Sequence, residues 1–312
     1  MSVIAKSILV TGGCGFIGSH IVEALVKEGY KVRILDNLST GKRENLNSIN
    51  SNNFEVCVGD VTDFSAVNAA VEGCEYVFHE AAVVSVPKSV EDPVGTGKVN
   101  YGGTLNVLEA ARKHGVRRAI FAGSAAVYGD EPTLPKNESM QACPITPYGA
   151  DKLASEVMGQ VYARTFGLEF VSLRYFNVFG SRQDPSSPYS GAISIFCNKM
   201  LQGIAPTIYG DGLQSRDFVH VSDVVRANLL VMQHPKASGR TFNVGRGIAT
   251  NLLEIVQAIN DLSGQHLIPI HQEVRPGDIR HSLADNTALQ NLGWTPLTST
   301  HKGLQELLQS SS

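Results

Sequence analysis

The feature that most constrains this chain is a run of glycines set directly behind a short β-type segment. Ser7-Ile8-Leu9-Val10-Thr11 reads as a strand. Thr11-Gly12-Gly13-Cys14-Gly15-Phe16-Ile17-Gly18 joins it to a stretch with helical periodicity, Phe16 to Lys27, that stops at Gly29. Gly13, Gly15 and Gly18 satisfy GxGxxG spacing, and Gly12, Gly15 and Gly18 satisfy the wider GxxGxxG. The physical demand is the same in either case. A strand that becomes a helix over so few residues needs positions without a Cβ, and bare backbone lets N–H groups approach a pyrophosphate at the helix N-terminus. The strand–turn–helix setting makes this far more specific than glycine spacing alone.

The rest of the first half keeps alternating. Lys31 to Leu35, Phe54 to Val58, Glu75 to His79, Ala119 to Ala122 and Phe170 to Arg174 read as strands; Val99 to Lys113 and Pro147 to Phe166 read as helices. Strands alternating with helices predict an α/β fold, a Rossmann-type doubly wound parallel sheet covered on both faces. After about residue 180 the texture changes to a loop by composition (residues 181–188), an apolar helix Ala192 to Leu201, a turn-rich stretch Ile208 to Asp217 and further helices. We therefore expect residues 1–180 to form a dinucleotide-binding domain. Residues 181–312 should form a smaller substrate-binding portion, interwoven with the first, some of whose segments return to the sheet.

Composition removes several function classes. A net charge of −3 gives no basic excess for nucleic acid or a membrane surface. The five cysteines are scattered without CxxC spacing, which points to neither a disulfide framework nor a zinc site. No apolar run reaches membrane-spanning length, and the N-terminus lacks a signal-peptide layout, so a cytoplasmic protein is expected.

Two further groups carry chemistry. Asp36 ends the second strand, 18 residues after Gly18. A carboxylate there accepts hydrogen bonds from both ribose hydroxyls of NAD and repels the 2′-phosphate of NADP. Asn37 beside it, and Asp60-Val61 at the end of the third strand, are placed to hold ribose and adenine. Tyr148 and Lys152 lie one turn apart in a segment opened by Thr146-Pro147, a good N-cap followed by a good first helical residue. A phenol ionises near pH 10, so a tyrosine base at neutral pH needs about 4 kcal/mol of help. A neighbouring ammonium, the positive helix end and an oxidised nicotinamide all push that way. Ser124, just past a strand end that faces the sheet crevice, can bridge a substrate oxygen and Tyr148.

Together these residues resemble the extended short-chain dehydrogenases/reductases, specifically the UDP-glucose/UDP-N-acetylglucosamine 4-epimerase group. The resemblance spans essentially the whole chain. It includes the TGGxGFIGSH start, His79-Glu80-Ala81-Ala82, Ser124-Ala125-Ala126-Val127-Tyr128-Gly129, Leu173-Arg174-Tyr175-Phe176-Asn177, Arg216-Asp217-Phe218-Val219-His220-Val221 and Arg275-Pro276-Gly277-Asp278. It implies Ser124, Tyr148 and Lys152 as the catalytic set. Ala81, Ala82, Val83 and Asn100 would line the NAD groove, with Phe176 beside the nicotinamide. Asn177 and Arg216 would hold the diphosphate of a UDP-sugar, Arg275 and Asp278 its phosphate and uridine ribose, and Ile208-Tyr209-Gly210 its uracil. A diphosphate wants arginine forks, which agrees. His79 is expected to be structural, no metal is implied, and a homodimer through the helices Val99 to Lys113 and Pro147 to Phe166 is.

Two positions narrow the reaction. The related 4,6-dehydratases carry Asp-Glu where this chain has Ala125-Ala126, so elimination of water lacks its acid and base. Where epimerases restricted to plain sugars carry a tyrosine, this chain has Ser282, which leaves room for an N-acetyl group; Ser85 and its neighbours resemble the same subgroup. Rival readings are a UDP-glucuronate 4-epimerase, a keto-sugar reductase and a non-catalytic NAD sensor, the last disfavoured by the intact Ser124, Tyr148 and Lys152. Ser282→Tyr should suppress turnover of UDP-N-acetylhexoses and spare UDP-glucose and UDP-galactose, read by proton NMR at C4. An unchanged preference would show that the pocket is shaped elsewhere.

Overall fold

A computed structural model of the chain describes residues 7–185, 191–274 and 279–310. In chain order it contains β1 (Ser7–Thr11), α1 (Phe16–Lys27), β2 (Val32–Asp36), β3 (Phe54–Val58), α2 (Phe64–Val71), β4 (Cys74–His79), α3 (Val86–Glu91), α4 (Pro93–Gly97), α5 (Gly103–Lys113), β5 (Arg118–Ser124) and α6 (Pro147–Phe166). There follow β6 (Glu169–Tyr175), β7 (Asn177–Phe179), α7 (Ala192–Leu201), β8 (Thr207–Tyr209), β9 (Ser215–His220), α8 (Val221–Gln233), β10 (Arg240–Val244), β11 (Ala249–Asn251), α9 (Leu252–Ser263), β12 (Ile270–Gln272), α10 (Thr287–Gln290) and α11 (Thr300–Ser310).

Seven strands form one parallel sheet in the order β10-β6-β5-β4-β1-β2-β3. The order reverses between β1 and β4, and a crevice opens at such a switch point, outside the carboxyl ends of the strands. Strands buried on both faces read as continuous apolar runs, and β1, β4, β5 and β6 do so. One face packs Ile21, Val22 and Leu25 of α1 with Val224, Ala227 and Val231 of α8. The other packs Val67 and Val71 of α2 with Val107, Leu108 and Ala111 of α5. A third cluster joins α7, α9 and α11 through Phe196, Met200, Ile255, Ile259 and Leu304.

The sheet does not end with the first 180 residues: β10 pairs with β6, and α8 covers the face beside α1. Two smaller sheets, β11-β9-β7 and β12-β8, complete the structure. β8 and the start of β9 fall in the stretch Ile208 to Asp217 that reads as turn-rich in sequence, and β7, β8, β11 and β12, with three residues each, leave too little alternation to register. The expected helix from Val99 also differs. Residues 98–102 form a π-helical turn, and regular helix begins only at Gly103. Such widened turns cluster at functional sites, and this one carries the buried Asn100. Among the described residues, no helix is long and apolar enough to cross a membrane.

Helix α6 sits close to the sheet because Gly159 leaves room for the Phe170 ring of β6; a Cβ there would lie 2.1 Å from a ring carbon. Phe170 is buried and stacked on Phe121, so it cannot yield. The buried Arg174–Glu156 ion pair, 2.6 Å, fixes the same helix. Gly159→Ala gains about 1 kcal/mol of helix propensity but overpacks a core contact costing about 3 kcal/mol. We expect Tm to fall by about 5 °C in thermal unfolding; an unchanged or raised Tm would mean that α6 has freedom to lift.

Candidate active site

The glycine turn fits a dinucleotide. Gly12 adopts φ +68°, and a Cβ on it would meet the Ala81 amide nitrogen at 2.8 Å. A Cβ on Gly18 would lie 2.2 Å from the Gly12 carbonyl oxygen. The N-cap of α1 is Gly15, no side chain caps the helix, and its first turn has no acidic residue. Amides left open at a positive helix end are an anion site, and Phe16 and Ile17 supply the first of them.

Asp36, the residue expected to take the ribose, stands against the glycine turn. Its Oδ2 accepts from the Cys14 amide at 2.9 Å and its Oδ1 from the Leu38 amide at 2.8 Å, so the buried carboxylate keeps one lone pair free on each oxygen. Asn37 donates its side-chain amide to Asp60 at 2.8 Å. Burial would raise the Asp60 carboxyl, but the Thr62 amide and Asn37 outweigh it and hold the group below its ordinary value. Val61 is buried against the site where a Cβ on Gly103 would clash with it.

The loop after β4 forms the opposite wall. Asn100 clamps it at two points, donating to the Val83 carbonyl at 3.1 Å and accepting from the Val83 amide at 2.8 Å. Ala81 donates its amide to the Thr11 hydroxyl, and Ala82 lies half-buried between them. His79 is structural, as expected. Its Nε2 meets Thr104 Oγ1, which already gives its proton to the Asn100 carbonyl, so Nε2 is the donor and Nδ1 accepts from Thr11. Burial, with Lys152 behind it, pushes this imidazole down to about 3.

Ser124, Tyr148 and Lys152, the expected catalytic set, come together at the carboxyl end of β5. Ser124 is the last residue of β5 rather than one beyond it, because β5 runs on to pair Ser124 with Tyr175 of β6. Its hydroxyl caps the turn Ala125–Tyr128 by accepting from the Ala126 amide, and it hydrogen-bonds the Tyr148 phenol. Thr146 caps α6 and Pro147 opens it. A Cβ on Gly149 would stand 2.8 Å from the Ala126 carbonyl, and this close approach brings Tyr148 to Ser124. Ser89 accepts from the Tyr148 amide at 3.1 Å. Lys152, 4% exposed, gives a proton to the Ala122 carbonyl at 2.8 Å and lies 4.9 Å from the Phe121 ring centre and 5.9 Å from that of Tyr148.

The electrostatics correct one expectation. In the protein alone the Tyr148 phenol lies above its ordinary value: burial raises it most, the Ser124 hydrogen bond opposes this, and Glu80 adds to the rise. Lys152 donates to the Ala122 carbonyl, and burial pushes its ammonium down to about 8.

The substrate candidates fall into two groups. Phe176 is buried against Val127, Tyr128 and Ala284, and Asn177 follows it at the start of β7. Residues 280–284 run beside β9, with the Ser282 amide bonded to the Ser215 carbonyl and Ala284 packed on the turn behind Ser124. This sets Ser282 beside Ser215 and its neighbour Arg216, which reaches the Ser215 carbonyl at 2.9 Å, while Asn177 pairs with Phe218 further along β9. Ile208 is buried in β8, and Tyr209, half-buried beside it, takes a bond from Gln214 on its carbonyl. Ser85 is the N-cap of α3, which occupies its oxygen with the Lys88 amide. Arg275 and Asp278 lie outside the described residues.

Sequence reasoning missed the supports. Asp217 accepts from the amides of Arg246, Gly247 and Ala284, which pins the Ser282 segment to β9. Glu80 accepts from the Tyr175 hydroxyl at 2.9 Å. The available signal was a carboxylate closing a buried strand, where charge is rare without a task. Among the described residues no group of three His, Cys, Asp or Glu could hold a metal.

Residues 8–245 match the NAD dependent epimerase/dehydratase family. The UDP-glucose 4-epimerase of Mycolicibacterium smegmatis is 39% identical over 305 residues, covering 96% of this chain and 97% of that one. The UDP-glucose 4-epimerase of Thermotoga maritima, solved with UDP-glucose, superposes with TM-score 0.93 at 39% identity over 97% of both chains. The UDP-N-acetylglucosamine 4-epimerase of Methanobrevibacter ruminantium M1, solved with UDP-N-acetylmuramic acid, superposes with TM-score 0.94 at 39% identity, again over 97% of both.

Gly18→Ala should weaken NAD binding about tenfold or more, since the clashing partner is backbone and cannot turn aside. Calorimetric titration with NAD on protein of unchanged circular dichroism checks this. Wild-type affinity would place the cofactor elsewhere.

Proposed function

The chain belongs to the NAD dependent epimerase/dehydratase family, and from that premise we propose that it inverts C4 of a UDP-hexose through a 4-keto intermediate, taking UDP-GlcNAc and UDP-GalNAc and also UDP-glucose and UDP-galactose. The observation that carries this reading is the meeting of Ser124, Tyr148 and Lys152 at the strand ends beside a glycine cradle. Bound NAD would supply a hydride acceptor and donor at C4, and a further positive charge near the phenol. Tyr148 accepts the O4 proton as C4 is oxidised, keeps it while the sugar is a ketone, and returns it once the other face is presented. Ser124 holds O4 by hydrogen bond, and Lys152 orients the cofactor ribose.

Asn177 and Arg216 hold the diphosphate, and Arg275 and Asp278, from beyond the described residues, hold phosphate and the uridine ribose. A fixed diphosphate with a free hexose is what inversion requires, since the ring must turn over without leaving. Ala125 and Ala126 offer no acid or base for elimination. Ser282, small and two residues before Ala284, which packs on the turn behind Ser124, supports entry of an acetamido group. A homodimer is supported by α6, which exposes Ala150, Ala154, Val157 and Val161 along one stripe.

Tyr148→Phe should lower turnover by about 10²–10⁴ with NAD still bound; near-wild-type rates would remove the phenol from its role. The substrate is read by incubating the protein separately with UDP-glucose, UDP-GlcNAc and UDP-glucuronate and following C4 configuration by proton NMR. Inversion of the glucuronate alone would overturn the proposal.

A further inference from the structure

Glu80 has no part in the mechanism above, yet it stands among the groups that do. It follows β4 directly, and its carboxylate accepts from the hydroxyl of Tyr175, at the end of β6. Strand β5 lies between those two strands. The hydrogen bond therefore passes over the end of β5, the segment that presents Ser124 and the Ala122 carbonyl that receives Lys152. Tyr175 is held in turn by Asn228 of α8, whose amide donates to the phenol oxygen at 2.8 Å. Three elements thus fix one carboxylate next to His79, which pairs with Phe121, so that Glu80 stands level with Ala122, whose carbonyl receives Lys152; an apolar residue would fill the same place without a partner to satisfy.

We propose that Glu80 is a positioning residue whose through-space charge keeps Lys152 an ammonium inside its desolvated site. This rests on the role assigned to Lys152 above. A direct ion pair would have turned the lysine away from the cofactor. Instead Lys152 donates to a neutral carbonyl, and among the described residues no salt bridge joins it to Glu80. The charge supports the ammonium and leaves its direction free.

The surrounding groups agree. Burial lowers Lys152 to about 8; Glu80 is the largest influence raising it, with Asp151 next. Burial raises Glu80 itself to about 7, opposed by the Tyr175 hydroxyl and by Lys152. Tyr148 faces the same carboxylate from α6 and is raised by it, although burial and Ser124 weigh more there. Tyr175 faces it from β6 and is pushed well up, by burial first and Glu80 second. His79, the chain neighbour, is engaged by Thr11 and Thr104 and stays neutral. An ammonium with a value near 8 is charged at pH 7 and loses its charge as pH rises; without Glu80 that loss moves to lower pH.

The test is Glu80→Gln, which keeps an acceptor oxygen for Tyr175 and removes only the charge. Lysine Cε resonances of the full chain, labelled with ¹³C and assigned with Lys152→Met, report the titration of Lys152 without any substrate. We expect its midpoint to fall by about 1 pH unit or more in Glu80→Gln, and the alkaline limb of the turnover profile to fall with it, at unchanged Tm. An unmoved midpoint overturns the proposal whatever the enzyme turns over. A moved midpoint with an unmoved limb would uphold Glu80 and count against Lys152 as an essential cation.

Discussion

An ammonium buried at the rim of a parallel sheet is costly to desolvate, and the architecture of this protein is organised around the one on Lys152. Lys152 donates to the Ala122 carbonyl, which lies just past the last pair that β5 makes with β4, His79 with Phe121. Its position one turn beyond Tyr148 is set by the Thr146-Pro147 start of α6, and the depth of α6 by Gly149 and Gly159. Each is a local requirement, yet together they place a cation, a phenol and a serine hydroxyl at one strand end. Removing any one would leave a buried polar group without its reason.

Much of this was legible in the residues. The glycine turn announced itself because only an absent Cβ tolerates approaches below 3 Å to backbone, and such positions admit no substitute. The Tyr148–Lys152 spacing was legible because a helix maps four residues onto one face. Long buried strands such as β5 and β6 were legible as apolar runs, although β5 runs on past the expected end at Ala122.

What sequence could not supply was long-range pairing. Nothing in the residues near Asp217 says that its carboxylate will gather amides from positions 246, 247 and 284. Asn243 likewise accepts from Tyr128 and donates to the carbonyls of Lys136 and Asp285, stapling three distant segments behind the catalytic turn. The phenol's rise, against an expected fall, has the same origin: it comes first from burial, which elements distant in sequence create around Tyr148.

The seventh strand has a consequence for how the chain is made. β6 has one free edge until β10 arrives, and 64 residues lie between Tyr175 and Arg240. During synthesis the ladder of β6 therefore waits, unpaired on that side, while the segments that build β7, α7, β8, β9 and α8 emerge. A ribosome that pauses in this interval holds a nascent chain with an adhesive border, and a chaperone that shields strand edges would act there, before the final strand seals it.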